Sequence, residues 1–243
     1  MATLPTSAQD QALLALVSSA VPSSIGDVIV QMQAIDALLT DNDGLKWFNR
    51  LYLMVTQEVD MNPPGGAWQN PQWLLHLDVV FAGLYFSAIR EYLSGANTPS
   101  AWAALFEARF RNGIDHIQFA MAGMNAHINR DLAMALLQTD EDLHVQPAWG
   151  SAEHRDYLAV NALLRNVTPA AMAMLSSGAL GELAEGTGNA GRKVAAFDML
   201  AARDASWDFA CRMRELPSVA RDAALAAQDA ITGQLGRTIL TVF

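Results

Sequence analysis

A single cysteine, Cys211, occurs in 243 residues. That excludes an internal disulfide framework and any cluster held by several thiolates. Positive charge is also scarce: 15 Lys and Arg face 25 Asp and Glu, for a formal net charge of −10. This balance denies the chain the basic footprint of a nucleic-acid binder and opposes docking on an anionic membrane face. Charged residues of both signs make up only 16% of the chain, against 52% hydrophobic residues. Disorder is thereby excluded, because ample apolar surface offsets the entropy of ordering. No stretch offers about 20 uninterrupted apolar residues, the length a membrane-crossing helix requires. The mildly apolar segment 12–20 is preceded by Asp10 and by no Lys or Arg, so it lacks the basic leader of a secretory signal. Alternating β-branched runs bounded by turn residues are missing, which removes the case for strands. The expectation is a cytoplasmic protein that takes a small-molecule substrate and no nucleic-acid or membrane partner. A homo-oligomer is compatible with all of this.

What the chain does have is helical periodicity. Leu45, Phe48, Tyr52, Val55 and Val59 step by three and four, painting one stripe on a helix. Asn70-Pro71, Thr98-Pro99 and Thr168-Pro169 read as helix starts, each pairing a side-chain acceptor with a proline whose missing N–H costs nothing there. Candidate helices cover 8–20, 25–39, 43–61, 71–94, 99–112, 114–138, 152–166, 169–184, 189–215 and 217–241. The breaks at 62–66, 95–97 and Gly186-Thr187-Gly188 are short. Only 139–151 is a long irregular piece, and such loops often serve as lids or binding segments. No repeat or compositional step divides the chain. The expectation is an all-α, single-domain bundle of about ten helices over residues 1–243, with 114–138 as its buried central helix.

That central helix is apolar on two sides, with Ile117, Met121, Met124, Ile128 and Leu132 opposite Phe119, Ala122, Ala126 and Ala133. It nevertheless carries Gln118, Asn125, His127, Asn129, Arg130 and Asp131. Buried polar groups cost free energy unless each finds a partner, so the helix must run through a polar network or line a cavity. In the same way Asp78 sits among Leu74, Phe81, Ala82 and Tyr85, where desolvation raises a carboxyl pKa. His154, Tyr157 and Asn161 share a stripe on 152–166, while Arg203, Asp204 and Trp207 stand among apolar residues on 189–215. The structural reading of such groups is a hydrogen-bonded core that fixes a unique packing. Their coincidence on one helix and its neighbours argues for a site.

His127 and Asp131, four residues apart, project from one helix face and could share an ion. His116 is eleven residues away, roughly 16 Å along a helix, and cannot join them. Paired Glu-x-x-His motifs are absent, the one match, Glu141 to His144, falling in the loop. No nucleophile elbow and no phosphate loop followed by Lys occurs. The reading is general acid/base catalysis on a largely apolar substrate, such as a cyclisation, isomerisation or hydrolysis in secondary metabolism, with no cofactor and no metal. His127 moves the proton, and Asp131 or Asp78 orients it. Asn125 and Asn129 hold substrate oxygens or complete the network, and Tyr85, Met124, Tyr157 and Asn161 line the pocket. Asp78 and His127 are expected within about 6 Å of each other, the range of direct electrostatic influence. Two alternatives stand beside this reading. One is a divalent-metal hydrolase on His127, Asp131 and Asp78; the other is a non-catalytic binding or scaffold protein.

The string Ala122-Gly123-Met124-Asn125-Ala126-His127-Ile128-Asn129-Arg130-Asp131-Leu132 resembles the signature of a family of all-helical proteins of unknown function from actinobacteria, other bacteria and fungi. Asp43-Gly44 leading to Phe48 and Tyr52, Leu77-Asp78-Val79-Val80-Phe81-Ala82, and Asp156-Tyr157 with Val160-Asn161 are similar to further parts of it. The likeness spans about residues 40 to 210. It implies a helical fold, supplies no reaction, and picks out Asp78, Asn125, His127, Asn129 and Asp131.

Overall fold

The structure is a computed structural model that describes residues 7–19, 21–176 and 198–241. Among these residues it is all helix, with no strand. In chain order the helices are α1 (Ala8–Ser19), α2 (Ile25–Leu38), α3 (Gly44–Met61), α4 (Pro71–Ser94) and α5 (Ser100–Ala108). Then follow α6 (His116–Ala126), a π-helical segment (His127–Asp131), α7 (Leu132–Asp142), α8 (Ala152–Ser176), α9 (Met199–Arg214) and α10 (Ser218–Ile239). The expected connection at Gly186-Thr187-Gly188, and the portions of the 169–184 and 189–215 helices between 177 and 197, lie outside the described residues.

Capping chemistry sets several of these boundaries. The Asn70 side chain accepts the Trp73 N–H with Pro71 in the first helical position, and Gly95 ends α4 at φ 74°. Asp43 starts α3 by accepting the Leu45 N–H. Three expectations need correction. Thr168-Pro169 does not open a helix, because α8 runs through Pro169. Proline leaves the Arg165 carbonyl without its usual partner and crowds that turn, while the Thr168 hydroxyl bonds back to the Leu164 carbonyl at 2.7 Å. The central helix continues to Asp142 instead of ending at 138, so the connecting loop begins at Leu143. Helix 99–112 stops at Ala108.

Helix α6, the π segment and α7 form one continuous rod through the middle of the bundle. α6 packs on α3, α5, α8 and α10, the π segment on α4, α9 and α10, and α7 on α4 and α9. Small side chains permit this: Ala120, Ala122, Ala126, Ala133 and Ala135 are fully buried. The approach of α3 to α6 is closer still, as an added Cβ on Gly123 would lie 2.3 Å from the Phe48 ring and one on Gly44 2.3 Å from that of Phe119. One apolar cluster runs from Leu13 to Leu240. α4 and residues 152–175 of α8 are long and apolar enough, by length and composition, to cross a membrane.

Candidate functional site

A π segment inserts one residue into the i→i−4 ladder and re-aims the side chains that follow, and such bulges are frequent at functional sites. Here it coincides with His127–Asp131. The His127 ring is buried, with Nδ1 3.1 Å from Asp131 Oδ2. The Trp102 indole N–H donates to that same oxygen at 2.8 Å, and the Arg130 guanidinium donates to Oδ1. Indole and guanidinium are donors only. The Asp131 carboxylate therefore acts as an acceptor throughout, and the imidazole proton resides on Nδ1. Arg130 is held in turn by Asp229 of α10 at 3.1 Å, and Asp229 also accepts the Ser100 and Ala101 N–H groups that open α5.

The other ring nitrogen of His127 has no such company. Nε2 is sealed from solvent and without a hydrogen-bond partner. Phe81 stacks on the ring at 3.5 Å between centroids and 7° between planes, and Tyr52 meets it edge-on at 4.4 Å. Burial lowers the pKa of His127, against the opposing pull of Asp131. The neutral imidazole is thereby favoured, with a bare lone pair on Nε2.

His127 borders a cavity of about 50 Å³ together with Tyr52, Asp78, Phe81, Tyr157 and Arg203. At roughly 10–15 Å³ per water, that space holds a few molecules. Asp78 is half-buried as a residue, yet its Oδ2 is closed off from solvent and has no partner. Burial raises its pKa to about 7, with Arg203 opposing and Asp60 reinforcing. The Arg203 Nε donates to Asn161 Oδ1 at 2.8 Å and its Nη2 to the Tyr157 carbonyl at 2.9 Å. Its guanidinium lies over the Tyr157 ring, 4.3 Å from the centroid. Burial pushes the Tyr157 hydroxyl up to about 12, and it donates to the Arg203 carbonyl at 2.5 Å. A second, apolar chamber of about 260 Å³ shares Val55, Met124 and Leu164 with the cavity wall.

Of the residues singled out from sequence, Asp78, Met124, His127 and Tyr157 border the cavity, and Asp131 stands behind His127. Asp78 and His127 face this one space without a hydrogen bond or ion pair between them. Asn125 and Asn129 do not line it: Asn129 Nδ2 donates to Asn125 Oδ1 at 2.9 Å, and Asn125 Nδ2 donates to the Thr232 carbonyl of α10 at 2.9 Å. They complete the network that clamps the π segment to α10. Tyr85 is fully buried and donates to Asn49 Oδ1 at 3.2 Å, away from the cavity, and Asn161 positions Arg203. Three participants went unassigned in the sequence reading: Arg203, Trp102 and Phe81. Arg203 left a signal, a cation among apolar residues on its helix. Trp102 and Phe81 left none, since an indole or phenyl ring on an apolar stripe reads as core.

A further constellation sits nearby. His154 Nδ1 accepts the Gly150 N–H at 3.0 Å, and its ring lies 4.8 Å from that of Trp207. Asp140 gathers the Trp73 indole at 3.0 Å and the Arg214 guanidinium. Half-buried Cys211 lies 3.4 Å from Arg214 Nη1, and burial raises its thiol pKa. Among the described residues no three His, Cys, Asp or Glu side chains converge as a metal site.

Fold and site together define an all-helical protein whose central rod presents a carboxylate-held histidine to an internal cavity. Residues 25–242 match the model of a family of unknown function, DUF5995, and the chain belongs to that family. No curated protein and no solved structure matches it.

Proposed function

We propose that this chain is a small-molecule enzyme that works by general acid/base catalysis on a largely apolar substrate. The observation that carries the proposal is His127 Nε2, a buried lone pair without a partner, aimed by an Asp131 carboxylate that is itself held by Trp102 and Arg130. A buried polar atom left unsatisfied costs stability, and a poised base is what such a cost supplies. In this scheme His127 Nε2 takes a proton from substrate. Asp131 holds the imidazole tautomer and stabilises the imidazolium that forms, the role a carboxylate plays behind a catalytic histidine. Asp78, protonated below about pH 7, is the acid on the same cavity, and Arg203 stabilises negative charge developing on a substrate oxygen.

The observations favour this reading over the divalent-metal alternative, because among the described residues no three His, Cys, Asp or Glu side chains are grouped to hold an ion. The test is solvent exchange. The protein is incubated in D₂O with a panel of apolar enolisable ketones, esters and epoxides, and deuterium uptake and turnover are followed by mass spectrometry. Wild type should exchange or convert at least one class, and folded His127→Gln should lose that activity by about 10²-fold or more. Equal activity in the two proteins, or none in the wild type across the panel, would sink the proposal.

A further inference from the structure

Arg203 is only 7% exposed, and its hydrogen bonds go to neutral acceptors, an asparagine amide oxygen and a backbone carbonyl. Among the described residues no carboxylate forms an ion pair with it. Buried cations are normally paired, because an isolated charge away from water is costly. Asp78 lines the same cavity and feels the Arg203 charge, yet makes no hydrogen bond to it. Burial and bidentate donor geometry suit Arg203 to a planar carboxylate.

The second observation is the relation between cavity and chamber. They follow one another along the same four helices. On α9, Leu200 lines the chamber and Arg203, one turn on, lines the cavity. Along α6 and the π segment that continues it, the chamber takes Ile117 and Met121, Met124 is shared, and His127 belongs to the cavity. From Ile117 to His127 is about 15 Å at 1.5 Å per residue. The chamber lining is mostly Leu, Val, Ile, Ala and Met, with Arg165, Thr168 and Asp198 also on its walls, and methionine adapts to irregular apolar shapes.

Resting on the acid/base reading above, we propose that the substrate is an amphipathic carboxylate, with its aliphatic chain in the chamber and its carboxylate on the Arg203 guanidinium, beside His127 Nε2. The unpaired cation selects the head group, and the chamber selects the tail. Val55, Met124 and Leu164, at the junction, are the side chains the chain must pass.

Isothermal titration of the full chain with decanoate, decanol and decyl phosphate tests this directly. Decanoate should bind at least tenfold more tightly than decanol and than decyl phosphate. Arg203→Gln should abolish that preference, and Arg203→Lys should restore part of it. Met121→Trp, which fills the chamber far from the charge, should weaken decanoate and decanol alike, so the proposal stays testable if Arg203 variants fail to fold. Decanol binding as tightly as decanoate, phosphate binding more tightly, or decanoate failing to bind would each overturn the assignment. None of these outcomes touches the deuterium-exchange result, so the substrate class and the acid/base reading fail separately.

Discussion

At the scale of single residues, the site is a contest between burial and partnership. Asp78 keeps its proton in the folded protein up to about pH 7, whereas the unfolded chain releases it near 3.8. The folded state therefore binds more protons between these values, and stability falls as pH rises through that window. Asp78→Asn removes the effect. Its melting temperature should exceed that of wild type at pH 8, and the gain should shrink towards pH 4; a gain independent of pH would show that Asp78 is not titrating. His127 acts with the opposite sign. Its folded pKa lies below 6.5, so the unfolded chain takes up a proton first as pH falls, and stability is lost below about 6.5. His127→Gln should flatten that acid limb in the same scan. Asp131 sets the tautomer. Nitrogen-15 NMR of the wild type should show His127 protonated on Nδ1 at neutral pH, and Asp131→Ala should release it to a mixture. The same variant strands the Trp102 indole N–H, costing about 1–3 kcal/mol, whereas Arg130 keeps its ion pair with Asp229.

Among the elements, the rod formed by α6, the π segment and α7 depends on close approach. Gly123 faces Phe48, which is fully buried and packed edge-on against Tyr85, Trp102 and His127. Gly123→Ala should destabilise the protein by about 1–3 kcal/mol, the usual cost of overpacking a filled core. Urea denaturation measures this, and an unchanged midpoint would mean that α3 slides freely on α6. Much of this level was legible in the sequence. The Asn70-Pro71 start of α4 and its end at Ser94 coincide with the expectation, because a cap is local chemistry. The Thr168-Pro169 signal, made of the same residue types, misled. There the helix propagates across the proline because α8 packs on both sides of it, with Val167 and Ala171 buried, and packing overrides local preference.

The whole molecule is tied at its N-terminal side by a buried charge network. Arg109 chelates Asp43 through Nε at 3.0 and 3.1 Å and through Nη2, and reaches Asp10 of α1 at 3.1 Å; Gln9 adds a bond to Asp43 at 2.7 Å. Arg109→Met would leave the fully buried Asp43 uncompensated, at a cost of about 3–5 kcal/mol. Against a typical total of about 5–15 kcal/mol, that is a large share. Circular dichroism and tryptophan fluorescence in urea should report the loss together, in one transition; separate transitions would show that α1 and α3 unfold apart from the rest.

The sequence by itself determined the all-helical class, most of the helix starts, the buried central rod and the pairing of His127 with Asp131. Each of these follows from periodicity, capping or an i, i+4 spacing, which act within a turn or two of chain. Only the tertiary structure decided that Asn125 and Asn129 serve α10, that Tyr85 turns away from the cavity, and that Arg203 meets Asp78 across it. It also decided that Nε2 of His127 has space in front of it rather than a partner. A cavity has no sequence signature of its own. It is the volume left where several helices fail to fill the space between them, and that depends on the rotation and register of all of them at once.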